Sequence, residues 1–254
     1  MTVTTQEDWH TTREQELATK YGWLTVSAFD WLTDTPARVP GLPGTWWTAD
    51  GQAHVRAGGE LTLHGEPLVG TTSAGVPEGA SLSWLLYGEV LVELLVRDGR
   101  YALRQRDPSA ATRTGFTGVP TYPVDPAWVV TGHYTPYNQA ERTVVDTARP
   151  DLRAQLKLVG AVHLALGGTA YELAVTAGGD GRLNLAFHDK TNGDETARWR
   201  TLTAGELQRD GSVQLDFNRA INPPSAFTAH GICPAPPAGN RLALPVTAGE
   251  KRPR

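Results

Sequence analysis

The stretch GEVLVELLVRDGRYALRQR, residues 88–106, reads as two strands and the turn between them. Val90, Val92, Leu94 and Val96 fall on one side of a two-residue period, with Glu89, Glu93 and Arg97 on the other. Asp98-Gly99 is a dipeptide that a two-residue hairpin turn selects, because both positions need a positive φ. An antiparallel sheet is the architecture such a hairpin belongs to.

The same pattern continues on both sides. WWTADGQAHVRA, residues 46–57, places Asp50-Gly51 between two short strands, and LTLHGEPLV, residues 61–69, is a second strand pair. Later, Leu183, Leu185 and Phe187 alternate, as do Val213, Leu215 and Phe217. Between them QLKLVGAVHLAL and TAYELAV are separated by Gly167-Gly168. The expected fold is mainly β, an antiparallel barrel or sandwich. Helical periodicity is confined to the start, where Trp9, Leu17 and Ala18 are spaced for a helix from Glu7 to about Lys20. GWLTVSAFDWLTD, residues 22–34, is too apolar to stay in water and is expected to dock this arm, residues 1–35, on a single domain spanning residues 1–254. FTGVPTYPVDPAWVVTGHYTPYN, residues 116–138, is rich in proline and reads as a connection between sheet halves or a barrel rim.

Composition excludes several classes. The chain has 254 residues, 23 basic and 27 acidic, for a net charge of -4, and its basic residues are scattered, which argues against a nucleic-acid partner. No stretch approaches a membrane span, no apolar leader opens the sequence, and Cys233 is the only cysteine, so a cytoplasmic protein without internal disulfides is expected.

The last segment, LDFNRAINPPSAFTAHGICPAPPAGNRLALPVTAGEK, residues 215–251, contains six of the eighteen prolines. Pro223-Pro224 removes two amide donors and keeps Asn222 out of the helical region, so the chain must leave the sheet there. We expect a strap across one end of the sheet. Its unladdered backbone should be paired by the side chains of Asn218, Asn222 and Asn240, and Leu242, Leu244 and Val246 should form a last strand.

These residues resemble the C-terminal signature of a bacterial and archaeal family known only as domain-of-unknown-function family sixteen eighty-four. GWLTVSAFDWL, RDPSAATRTGFTGVPTYPVDPAWVV, VGAVHLALGGTAYELAV and FHDKTNGDET agree with it, so the resemblance covers nearly the whole chain. It implies a β-rich fold and one domain, and it carries no activity. The chain departs from the family pattern after DKTNGDET: where a Tyr and a glycine-containing spacing before an Arg are expected, it has Ala197, Arg198, Trp199 and Arg200. If that loop lines a pocket, its ligand preference differs from that of other members; the alternative is a surface variation.

Candidate chemistry is sparse. His188 and Asp189 end one strand and Asp216, Asn218 and Arg219 another, so adjacent ends would bring carboxylate, imidazole, amide and guanidinium together at a barrel mouth. The same residues would equally serve to pin the strap. Cys233, His230 and Asn240 are the residue types of a nucleophilic thiol site. The histidines lack HxH and HExxH spacing, leaving for a metal only a site assembled from separate strands, such as His133, His163 and His188; no metal is expected. The glycine-rich turns lack a phosphate-loop lysine, and no cofactor is expected. Trp84 and Trp128, with Trp46, Trp47 and Tyr87, are either core or the lining of an apolar cavity. The favoured function is binding of a small apolar or amphipathic molecule in a β-barrel pocket, with Trp84, Trp128, Asn218, Arg219 and Asn222 in contact. One alternative is a hydrolase or a cofactor-free isomerase or cyclase working through His188, Asp189, Asp216, Arg219 or Cys233. The other is a protein-interaction module using the tryptophan-bearing arm.

Overall fold

The computed structural model describes residues 6–253. The protein is mainly β, with two curled antiparallel sheets, each a half-barrel, and an N-terminal helix α1 (Gln6–Leu17). Its contacts gather into two compact units: Arg13–Phe116, the inserted unit, and the chain up to Thr12 together with the chain from Thr117 onward, the C-terminal unit.

The inserted unit holds β1 (Val26–Trp31), β2 (Thr45–Ala49), β3 (Gln52–Leu63), β4 (Glu66–Ala74), β5 (Ser81–Tyr87), β6 (Val90–Arg97) and β7 (Arg100–Arg106). They run in the order β1-β7-β6-β5-β3-β2, with β4 also on β3. Asp98 and Gly99, at φ 53° and 68°, make the turn read from sequence. The short helix α2 (Ala111–Thr114) follows the sheet.

One reading changes here. The stretch expected to dock the arm is itself a strand, β1, paired with β7. The Glu93 side of β6 is also covered, not open to water. Trp23 lies over it, with the guanidinium carbons of Arg104 and Arg106 at 5.0 and 5.1 Å from its ring. Beneath them Glu93 accepts from Arg106 Nε at 2.7 Å and Arg104 Nη1 at 3.2 Å. Burial alone would raise the Glu93 pKa, but the Arg104 charge and the Arg106 hydrogen bond hold it below the ordinary carboxylate value.

The C-terminal unit has β8 (Val129–Asp146), β9 (Arg153–Leu166), β10 (Thr169–Ala177), β11 (Leu183–Phe187), β12 (Arg200–Thr203) and β13 (Ser212–Asp216), in the order β12-β11-β10-β9-β8-β13. Much of the proline-rich stretch expected to be a connector is thus strand. Pro136 is accommodated because the register with β9 breaks between it and Glu141, at a bulge where no ladder donor is needed. Val162, Leu173, Val175, Leu185, Phe187, Leu215 and Phe217 form the core.

The strap crosses this unit as expected, but its last strand is absent. Leu242 and Val246 are buried and Ala243 and Pro245 exposed, so the alternation is real. A ladder does not form because Pro245 has no N–H and that of Ala243 goes to the Tyr171 hydroxyl. The segment instead follows the chain beyond β11 through a parallel bridge between His188 and Arg241. Earlier in the strap Ile221 exchanges two 2.9 Å backbone hydrogen bonds with Thr201 and covers the outer edge of β12. Among the described residues no helix is long and apolar enough to cross a membrane.

Candidate functional site

The most heavily bonded part of the C-terminal unit is the loop that follows β11. Asp189 turns inward, and its Oδ1 accepts from Thr191 N at 2.8 Å, Thr191 Oγ1 at 2.6 Å and Val246 N at 3.2 Å. Its Oδ2 accepts from Arg200 Nη2 at 2.8 Å and Asn192 Nδ2 at 3.3 Å. Arg200 also donates to the carbonyls of Val246, Ala248 and Glu250, so one guanidinium ties the start of β12 to the end of the strap. Both side chains of the pair are fully buried. With every lone-pair direction of Asp189 engaged, it is a structural anchor and not a base.

The asparagines act as the sequence predicts. Asn240 accepts from Ala174 N and donates to the carbonyls of Ala174 and Ala186, each at 2.8 Å, serving β10 and β11 together. Asn218 exchanges two 3.0 Å bonds with the Asp125 backbone. Asn222 donates from Nδ2 to Lys251 O at 2.7 Å, and its backbone N–H meets the buried Glu250 carboxylate at 2.6 Å.

The other candidates separate into local roles. Phe187 and Phe217 pack edge to face at 5.5 Å, so the two strand ends are neighbours. The guanidinium that meets Asp189 is nevertheless Arg200, while Arg219 approaches Asp216 at 3.5 Å, donates to Gln6 at 3.2 Å and lies over Trp9. Asp216 caps the turn after β13 by accepting from Asn218 N at 3.1 Å. Cys233 is half-buried, and its carbonyl accepts from Ala148 N at 2.9 Å. Of the Cys233, His230 and Asn240 set, the Asn240 amide bonds β10 and β11.

Trp84 packs edge-on against Trp46 at 5.8 Å in the core of the inserted unit, and Trp128 against Phe217 at 6.4 Å in the C-terminal unit. Such contacts add about 0.5–1.5 kcal/mol each beyond the burial itself. His133 and His163 are cross-strand partners, with Glu172 next along the row, but His188 sits elsewhere, at the end of β11. Among the described residues no three His, Cys, Asp or Glu side chains gather as metal ligands.

The anchored loop forms one wall of a cleft of about 220 Å³, lined by Gly193, Thr196, Ala197 and Arg198 on one side and by Pro223, Ser225, Ala226 and Arg252 on the other. Of the four residues at which the chain departs from the family pattern, Ala197 and Arg198 line this cleft, while Trp199 and Arg200 are buried. His188 supports it from behind: a carbonyl only accepts, so the 3.1 Å contact with Arg198 O places the imidazole proton on Nδ1. Burial, then the Arg241 charge, lowers the His188 pKa and keeps the ring neutral. Elsewhere on the same loop Glu195 accepts from the Tyr122 hydroxyl at 3.1 Å; burial, then that bond and charge, push the Tyr122 pKa up to about 12. Sequence reasoning had passed over Arg252, and over Arg198 and Arg200 except as a departure. The signal for Arg200 was a lone arginine opening a strand beside an acidic, hydroxyl-rich loop.

The sequence profile described as "Protein of unknown function (DUF1684)" matches residues 114–251. An uncharacterized protein of Haloarcula marismortui, solved by solution NMR, is similar at 28% identity and a TM-score of 0.46, over 55% of this chain and 78% of that one. No curated protein matches. The match takes in the loop, the strap and every residue lining the cleft except Arg252, and the chain belongs to the DUF1684 family.

Proposed function

We propose that the C-terminal unit binds a small amphipathic molecule in the cleft between the Gly193–Arg198 loop and the Pro223–Ala226 turn. The observation that carries this reading is that both walls are fixed before any ligand arrives. The Asp189–Arg200 pair holds the loop, and Asn222, bonded to Glu250 and Lys251, holds the turn. A preformed cleft spends little binding energy on ordering its walls. Ala197, Pro223 and Ala226 supply an apolar surface, and Thr196 and Ser225 are polar residues beside it. The tryptophans are not needed in this reading, since Trp46 and Trp84 serve as core.

Native mass spectrometry of freshly purified protein, set against its denatured mass, tests it. The expected result is a non-covalent adduct that the wild-type protein retains and Ala226→Trp, which fills the cleft, loses. A bare wild-type mass, or an adduct that Ala226→Trp keeps, counts against the cleft.

A further inference from the structure

We infer that the polar end of the cleft's ligand is an oxyanion, a carboxylate or a phosphate, gripped by Arg198 and Arg252 together. The inference rests on the cleft being a binding site. Both arginines line it, and no carboxylate does. Among the described residues neither guanidinium has a hydrogen-bond or ion-pair partner; the Arg198 head group lies 5.5 Å from the neighbouring Trp199 ring. Two cations facing one small cleft repel each other unless an anion sits between them. The chain as a whole carries a net charge of -4, so this is not one part of a generally basic surface.

The backbones of both arginines are anchored. His188 donates to the Arg198 carbonyl at 3.1 Å, and Arg252 N donates to Glu195 O at 2.9 Å. Both residues line the cleft from a fixed base, each with a planar fork of donors suited to two oxygens of one anion. The Ser225 hydroxyl, also without a partner among the described residues, adds a donor to the same cleft. Ala197, Pro223 and Ala226 then face the ligand's apolar part.

Hexanoate, hexyl phosphate and the uncharged hexanamide, titrated calorimetrically into the full-length protein, separate the possibilities. At least one acid should bind, about tenfold or more tightly than the amide, and the tighter of the two identifies carboxylate or phosphate as the preferred group. Arg198→Gln and Arg252→Gln should each weaken that acid about tenfold, and added salt should weaken it further. Equal binding of hexanamide overturns the anion inference and leaves the cleft standing. Binding that survives the double Arg→Gln substitution, or no binding of either acid, overturns it as well. Acid binding that needs the arginines but is untouched by Ala226→Trp keeps the anion and removes the cleft. Both arginines are exposed, so the variants are expected to fold, which an unchanged melting temperature would verify.

Discussion

Arg200 and Asp189 meet at 2.8 Å with both side chains fully shielded from water, and the arginine's two terminal nitrogens also donate to three strap carbonyls. Removing either partner leaves the other as a buried, uncompensated charge. Asp189→Ala or Arg200→Ala should destabilise the C-terminal unit by about 3–5 kcal/mol in urea unfolding. Replacing the pair with Leu and Met should recover only part of this, because the N–H groups of Thr191 and Val246 would still lack their acceptor. Arg219, whose side chain is 37% exposed, contrasts with it: Arg219→Ala should cost about 1 kcal/mol or less.

Asn240 makes a sharper test because an isosteric change suffices. Asn240→Asp keeps the shape and the bond from Ala174 N but turns the donor to Ala174 O and Ala186 O into an oxygen. A loss of about 2–4 kcal/mol is expected, with faster hydrogen exchange around Ala174 in β10 and at the end of β11.

Gly249 has φ +76° and lies so close to the turn after β13 that an added Cβ would be 2.5 Å from Ala220 O and 2.8 Å from Phe217 O. Gly249→Ala should cost more than about 1 kcal/mol by calorimetry. Gly65→Ala, at φ +86° with nothing within 4 Å, carries the same backbone strain without the collision and should cost less.

His188 titrates below its ordinary value of 6.5 because burial, and then the Arg241 charge, disfavour its protonated form. Its contribution to stability is therefore complete above the unfolded value and is lost as pH falls through 6.5 toward the lower folded value. The melting temperature should drop between neutral and mildly acidic pH, and His188→Gln should flatten that part of the profile.

How much was legible from sequence follows from what each residue type dictates locally. The hairpin at Asp98-Gly99 and the strap's asparagines were readable, since a positive-φ turn and an unladdered backbone each demand particular side chains. β12 was missed because four residues, RTLT, are too few to show a period. β8 was missed because Pro136 argues against a strand until the bulge is known. The partner of Asp189 was hidden for a different reason: Arg200 and Arg219 are equally arginine in the sequence, and only the packing of Phe187 and Phe217 decides which one is buried.

The carbonyls that receive Arg200 belong to Val246, Ala248 and Glu250, near the end of the segment the family shares. On the ribosome, β12 and Asp189 are therefore made well before the three strap carbonyls that the buried guanidinium also bonds. The inserted unit is complete once Phe116 has emerged, whereas the C-terminal unit waits for residue 250. Until Ile221 is made, the β12 edge lacks its cover, and until residue 250 is made Arg200 lacks its strap carbonyls, so in that interval the unfinished unit is open to chaperones and to pairing with other chains.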